Sequence, residues 1–157
     1  MIITDKNKLN EICEPCSSVE EGEEIAAKLL EELVKSMTGI GLAANQIGIN
    51  KRVCVINVRE EPLILINPEI IEKSNDMYAF KEGCLSFPNK YITTVRHKQI
   101  KVKADNHKEP IELKVIEDSD KNAYLTSAYE VACVQHEIDH LYGITMFDRK
   151  FVRPQII

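Results

Sequence analysis

His136, Glu137 and His140 stand in the string His136-Glu137-Ile138-Asp139-His140, where two imidazoles and a carboxylate are spaced for metal chemistry. On a helix of about 3.6 residues per turn, side chains four apart leave the same face, so the two imidazoles can grip one ion. Glu137 starts beside the first imidazole, and its carboxylate can reach a water next to that ion as a general base. A helix carrying two surface histidines is the bland alternative, so the rest of the chain has to choose.

A catalytic ion commonly takes three protein ligands and keeps one position open, which calls for a donor from another segment. Glu82-Gly83-Cys84-Leu85-Ser86 offers one, because glycine lets the backbone come close and a thiolate binds zinc or ferrous iron strongly. Taken alone, Cys84 is explained as well or better by a buried structural cysteine. In Gly39-Ile40-Gly41-Leu42-Ala43-Ala44-Asn45-Gln46, small residues admit a substrate backbone and Gln46 offers an amide donor for a developing oxyanion. A helix C-cap followed by a tightly packed strand accounts for the same residues. Cys13-Glu14-Pro15-Cys16 has no second pair and no strong helix after it, so no redox role is read into it. His97 and His107 sit near no motif and are expected as exposed strand or turn residues.

These side chains need elements to hold them. A first helix is predicted from Val19 to Met37, with Ile25, Leu29, Leu30, Leu33, Val34 and Met37 at three- and four-residue spacing and acids at its start. Gly39 and Gly41 end it. Strand-like runs follow at 53–58, 63–66, around 91–95, at 100–104 and at 111–116, with turns at Ser74-Asn75-Asp76 and Asp118-Ser119-Asp120. Ser127 and Glu130 form an S-x-x-E capping pattern that predicts a last helix from about Ser127 to Gly143, carrying the histidines. A helix, a run of mainly antiparallel strands and a C-terminal metal-binding helix, without alternating β-α-β units, make an α+β fold.

With 157 residues, the chain is read as one domain that buries about 70% of the surface its unfolded form exposes. A net charge of −5 disfavours nucleic-acid binding; Arg149, Lys150 and Arg153 at the tail are expected to be solvated. No apolar run approaches the ~20 residues of a membrane span, and the first residues lack the flank and core of a signal peptide. Five cysteines without such a signal point to a reducing, cytoplasmic compartment.

Together, and in this order, G-x-G-L-A-A-x-Q, E-G-C-L-S and Q-H-E-x-D-H closely resemble the peptide deformylase family over about Gly22 to Arg149. The resemblance implies a metal-dependent hydrolase that removes the N-formyl group from the initiator methionine of new polypeptides and releases formate. It implies Cys84, His136 and His140 as metal ligands, with ferrous iron in the active form and zinc, nickel or cobalt in purified protein. Glu137 becomes the general acid/base, and Gln46 with the backbone N–H of Leu85 becomes the oxyanion donor pair. Gly41 and its neighbours would pair with the substrate backbone, and Gly83 would approach it closely. Ile40, Phe80, Tyr129, Ala132 and Cys133 would line a methionine-sized pocket, although helical spacing alone reads the last three as core residues.

Two departures stand out against that pattern. Tyr91 lies where many members carry an arginine near the substrate entrance, while Arg96 matches a second arginine further on. The residues after Arg149, with Pro154 among them, are too few to build the long C-terminal helix implicated in docking at the ribosome, as in minimal members including those of bacterial viruses. Ribosome docking is therefore not assumed and is left open by the sequence, and nascent formyl-methionyl peptides are the expected partner in a bacterial cytosol or in the bacterial host of a virus. A zinc peptidase fits poorly, because none of the 17 residues after His140 is His or Glu. A non-catalytic relative would not need Glu137 or Gln46 to hold a metal.

Overall fold

The computed structural model describes residues 1–118 and 120–152. Ser119 of the expected turn, and Arg153 and Pro154 of the tail, lie outside the described residues. A short helix α1 (Lys6–Leu9) and a long helix α2 (Val19–Lys35) precede three strands, β1 (Gly41–Ala43), β2 (Val53–Ile56) and β3 (Leu63–Ile66). β4 (Glu69–Lys73), β5 (Met77–Cys84), β6 (Phe87–His97), β7 (Gln99–Lys103) and β8 (Ile111–Lys114) follow, and then helix α3 (Lys121–Leu141). The strands form three sheets, ordered β1-β2-β3, β4-β7-β8 and β5-β6, and every strand pairing in them is antiparallel. This agrees with the α+β expectation.

β2 explains the arrangement. Its side chains alternate between faces, and both faces are covered: Val53 and Val55 join α2 residues Ile25, Leu29 and Leu33, while Cys54 and Ile56 join α3 residues Val134, Ile138 and Leu141. The run Val53-Cys54-Val55-Ile56 is apolar throughout because neither face meets water. The sheet β1-β2-β3 is thus a wall between a helix that only packs and a helix that carries the histidines.

Three sequence expectations change. α2 stops at Lys35, and Val34 and Met37 are 83% and 98% exposed, so the apolar spacing runs one turn beyond the buried face. α3 starts at Lys121, where the Asp120 side chain accepts the Ala123 N–H at 2.9 Å. Ser127 is inside that helix; its hydroxyl donates to the Tyr124 carbonyl and accepts the Ile116 N–H. β4 and β5 are additions to the strands expected from the sequence. Both carry charges and lie in sheets with a solvated side, so neither reads as an apolar run. Among the described residues, no helix is long and apolar enough to cross a membrane.

Candidate metal centre and its cavity

Residues Val131 to Leu141 of α3 are all buried, an unusual setting for Gln135, His136, Glu137, Asp139 and His140. His136 and His140 lie one turn apart, with Nε2 atoms 3.2 Å from one another. The β5–β6 hairpin brings the third donor. Its register shifts between Gly83 and Cys84, and Cys84 Sγ comes to 3.4 Å from His140 Nε2. The three donor atoms all lie within 4.8 Å of one another. In a tetrahedron with zinc-type bond lengths, N–N edges are about 3.3 Å and N–S edges about 3.6 Å, close to the His136–His140 and Cys84–His140 separations.

Glu82 orients this set. It precedes Cys84 by two residues on β5, and its Oε1 accepts from His136 Nδ1 at 2.9 Å, which leaves Nε2 directed at the shared centre. Arg96 on β6 grips both oxygens of Glu82, Nε at 2.6 Å and Nη2 at 2.8 Å, and Thr94 donates its hydroxyl to the same carboxylate. Burial pushes the Glu82 carboxyl up, but the Arg96 and His136 hydrogen bonds outweigh it and hold the group at about 2. Glu82 and Arg96 are structural necessities to which the motifs by themselves give no role. Period-two spacing on a strand puts Glu82 on the side of Cys84 and is the available signal; for Arg96 the signal is its match to the second arginine of the family pattern, which gives no partner.

Glu137 is 3% exposed and lies beside the donors. Burial pushes its carboxyl up to about 7, His136 and Arg96 oppose that rise, and Glu82 adds to it. Burial lowers the His136 imidazole, but the charge of Glu137, with Cys84 and Glu82, carries it well above the ordinary histidine value. His140 moves the other way, depressed by burial and by the charges of His136 and Arg96. Glu137 Oε1 and His140 Nδ1 are buried without a hydrogen-bond partner among the described residues. Such atoms are exceptions in folded proteins; these two belong to the site, and a third, Asn45 Oδ1, is on the residue whose amide nitrogen donates to the His140 carbonyl.

β1 closes the other side. A Cβ on Gly41 would stand 2.6 Å from both Glu137 Oε2 and Cys133 Sγ, so glycine is required there by α3 itself, beyond the substrate clearance expected from the sequence. The chain then turns through a 3-10 segment, Ala44–Ile47, that presents Gln46. Gln46 Oε1 accepts the Ala43 N–H at 2.9 Å, while Nε2 donates to Ser86 Oγ at 3.1 Å and faces Cys84 Sγ at 3.5 Å. The amide nitrogen thereby faces the Cys84 sulfur as well as the Ser86 hydroxyl.

A cavity of about 710 Å³ lies over these groups. Every residue expected in the site lines it except His140: Gln46, Leu85, Cys84, His136 and Glu137 at the chemistry, and Ile40, Gly41, Phe80, Gly83, Tyr129, Ala132 and Cys133 around it. His140 is fully buried beneath. Phe80 and Tyr129 meet edge to face with centroids 4.9 Å apart. Tyr91 also lines the cavity; its ring lies so close to Gly83 that a Cβ there would be 2.8 Å from Cε1.

The remaining candidates stay apart from the centre. Cys13 and Cys16 are free and buried, with both thiols pushed up to about 11, chiefly by burial. His97 and His107 are half-buried rather than exposed; their ring nitrogens lie 2.7 Å from the Ser74 carbonyl and 3.0 Å from the Ile64 carbonyl.

Comparisons with known proteins agree among themselves. A family model described as polypeptide deformylase matches residues 1–154. A peptide deformylase of Prochlorococcus marinus (strain MIT 9312) is 42% identical over 136 residues, which cover 81% of this chain and 62% of the relative, so the match spans less than two thirds of that protein. The crystal structure of peptide deformylase from Thermotoga maritima superposes with a TM-score of 0.80 at 32% identity, covering 97% of each chain. That of a probable peptide deformylase from Synechococcus phage S-SSM7 gives 0.79 at 34% identity, covering 95% of this chain and 98% of the other. The matched span, the shared fold and the buried Cys84, His136 and His140 cluster agree, and the chain belongs to the polypeptide deformylase family.

Proposed function

We propose that the protein removes the N-formyl group from formyl-methionine at the start of newly made polypeptides, releasing formate and a free α-amino group. The observation that carries this reading is the convergence of Cys84, His136 and His140 beside Glu137 and the Gln46 amide, at the floor of a cavity. Cys84, His136 and His140 would hold a divalent ion, ferrous iron in the active enzyme and zinc, nickel or cobalt as substitutes. Such an ion supplies Lewis acidity, making water acidic enough to attack at neutral pH and polarising the formyl oxygen.

The chain's own residues do the rest. Glu137 takes the proton from the attacking water, a role that its buried carboxylate beside the donors and at the cavity floor suits. It then delivers that proton to the departing nitrogen as the carbon–nitrogen bond breaks. Gln46 Nε2 and the Leu85 N–H stabilise the developing negative oxygen. β1 is the edge of its sheet, so Gly41 can pair with an extended peptide while Gly83 faces it from the hairpin. Ile40, Phe80, Tyr129, Ala132 and Cys133 supply apolar walls for the methionine side chain. We place the activity in one domain, in the cytoplasm where formylated chains emerge.

Anaerobically prepared, iron-loaded protein should release formate from a formyl-methionyl tripeptide. Glu137→Gln should keep the metal and lose turnover, Gln46→Ala should lose roughly 10²–10³ in turnover, and Cys84→Ala should lose the metal. Metal-loaded protein that releases no formate overturns the reading.

A further inference from the structure

The ion pairs that hold the donors do not end at Arg96. Asp139, the residue of the H-E-x-D-H string that the proposed reaction does not use, is 9% exposed, and its Oδ2 lies 2.6 Å from Arg96 Nη1. Arg149 meets the same carboxylate with a two-pronged contact, Nε 3.1 Å from Oδ2 and Nη2 3.0 Å from Oδ1. Arg149 ends the 3-10 turn Met146–Arg149, and its side chain is 43% exposed. A continuous line therefore runs from a half-exposed guanidinium through Asp139, Arg96 and Glu82 to His136 Nδ1. It ties together β5, β6, α3 and the turn after α3.

We propose that Arg149 is a positioning residue for the metal centre: by sharing Asp139 with Arg96, it keeps Arg96 seated on Glu82 and so keeps His136 aimed at the ion. This rests on the reading of Cys84, His136 and His140 as ligands. Arg96 is one guanidinium serving two buried carboxylates, with Nε and Nη2 on Glu82 and Nη1 on Asp139. With Arg149 in place, Asp139 has a second cation and needs only one contact from Arg96. With Arg149 removed, a carboxylate nine-tenths buried has one counter-charge left, which draws Arg96 toward α3 and away from Glu82. Glu82 Oε1 is the acceptor for His136 Nδ1, so the imidazole loses its fixed orientation. A two-pronged contact needs the planar fork of arginine; a lysine in the same place supplies charge without that geometry.

The test reads metal affinity, without using turnover. Metal-free protein is titrated with Co²⁺ against a competing chelator, and the thiolate-to-cobalt absorption of the complex is recorded. Arg149→Ala should weaken Co²⁺ binding about 10-fold, in the range found for outer partners of metal ligands, and should alter that absorption while the melting of the metal-free protein stays close to native. Arg149→Lys should recover part of the affinity. In a Glu82→Gln background, Arg149→Ala should have no further effect, since the line to His136 is already cut. Native Co²⁺ affinity and absorption in Arg149→Ala overturn the proposal, as does an equal loss in the Glu82→Gln background. If Cys84→Ala binds Co²⁺ as tightly as the native chain, the ligand reading itself fails and this one falls with it; if Cys84→Ala loses Co²⁺ and Arg149→Ala does not, only the positioning role is lost.

Discussion

Helices α2 and α3 pack against opposite faces of one sheet, yet they are built on different terms. α2 buries Ile25, Ala26, Leu29 and Leu33 and leaves its charged side in water, so nothing polar has to be matched inside. α3 buries five polar or charged residues in a row of eleven, and nearly all of their atoms are paired through Glu82, Arg96, Arg149 and the hairpin. The exceptions, Glu137 Oε1 and His140 Nδ1, fall at the donors themselves. In a layer held by apolar area each loss is set by the area removed, whereas in a layer held by matched charges the loss of one hub strands several buried groups at once.

Arg96→Met tests that hub and carries the largest expected effect. Arg96 is 2% exposed, and its loss leaves Glu82 and Asp139 buried with weaker counter-charge, which should cost about 3–5 kcal/mol in denaturant unfolding. A loss under about 1 kcal/mol would end the contrast between the two layers.

Glu137 carries the next effect, and it depends on pH. In the metal-free protein its carboxyl sits at about 7, against an ordinary 4.5. The folded chain therefore holds a proton that the unfolded chain releases, and the stability this gives is full below pH 4.5 and lost as pH rises through about 7. That gap corresponds to roughly 3 kcal/mol. Glu82 works in the opposite sense, its contribution lost only as pH falls from 4.5 toward about 2, so the windows do not overlap. Glu137→Gln should flatten the decline between pH 4.5 and 7 in the metal-free protein. An unchanged slope in urea midpoints across that range would show that Glu137 is ionised without metal.

Leu29→Ala probes the apolar layer. The side chain is fully buried between α2 and the sheet, and truncation should cost about 3 kcal/mol. Co²⁺ affinity, measured well below the melting temperature, should stay native because none of the donors touches this layer. A change in affinity would show that the sheet transmits packing from α2 to α3.

The two layers are also unequally legible in the sequence. α2 is readable to within two residues because periodic apolar spacing is the same signal that buries the helix. The convergence of Cys84, His136 and His140 under one cavity is readable because chemistry-bearing types stand in three short motifs, each confined to a short stretch of chain. The Glu82–Arg96–Asp139–Arg149 line is not, since its links join residues 14, 43 and 10 apart on different elements, and charged residues ordinarily read as solvated. The start of α3 is misplaced by the spacing of Ser127 and Glu130, which satisfies a capping pattern inside the helix, while the residue that caps it is Asp120, nearly two turns earlier. Both are good capping types, and sequence alone ranks neither above the other.

The smallest effect belongs to the position where periodicity misleads. Val34 continues the apolar spacing of α2 but is 83% exposed, while Leu33 beside it is 4% exposed, and the helix ends at the Ser36 cap, whose hydroxyl accepts the Gly39 N–H at 2.7 Å. A residue in that setting contributes little to the apolar layer, so Val34→Lys should change stability by less than about 0.5 kcal/mol. The same substitution at Leu33, one position earlier and 4% exposed, would force a charge against Leu29 and Leu42. Comparable melting of the two variants would move the edge of the buried face outward by a turn and restore Val34 to the core that the spacing alone assigns it.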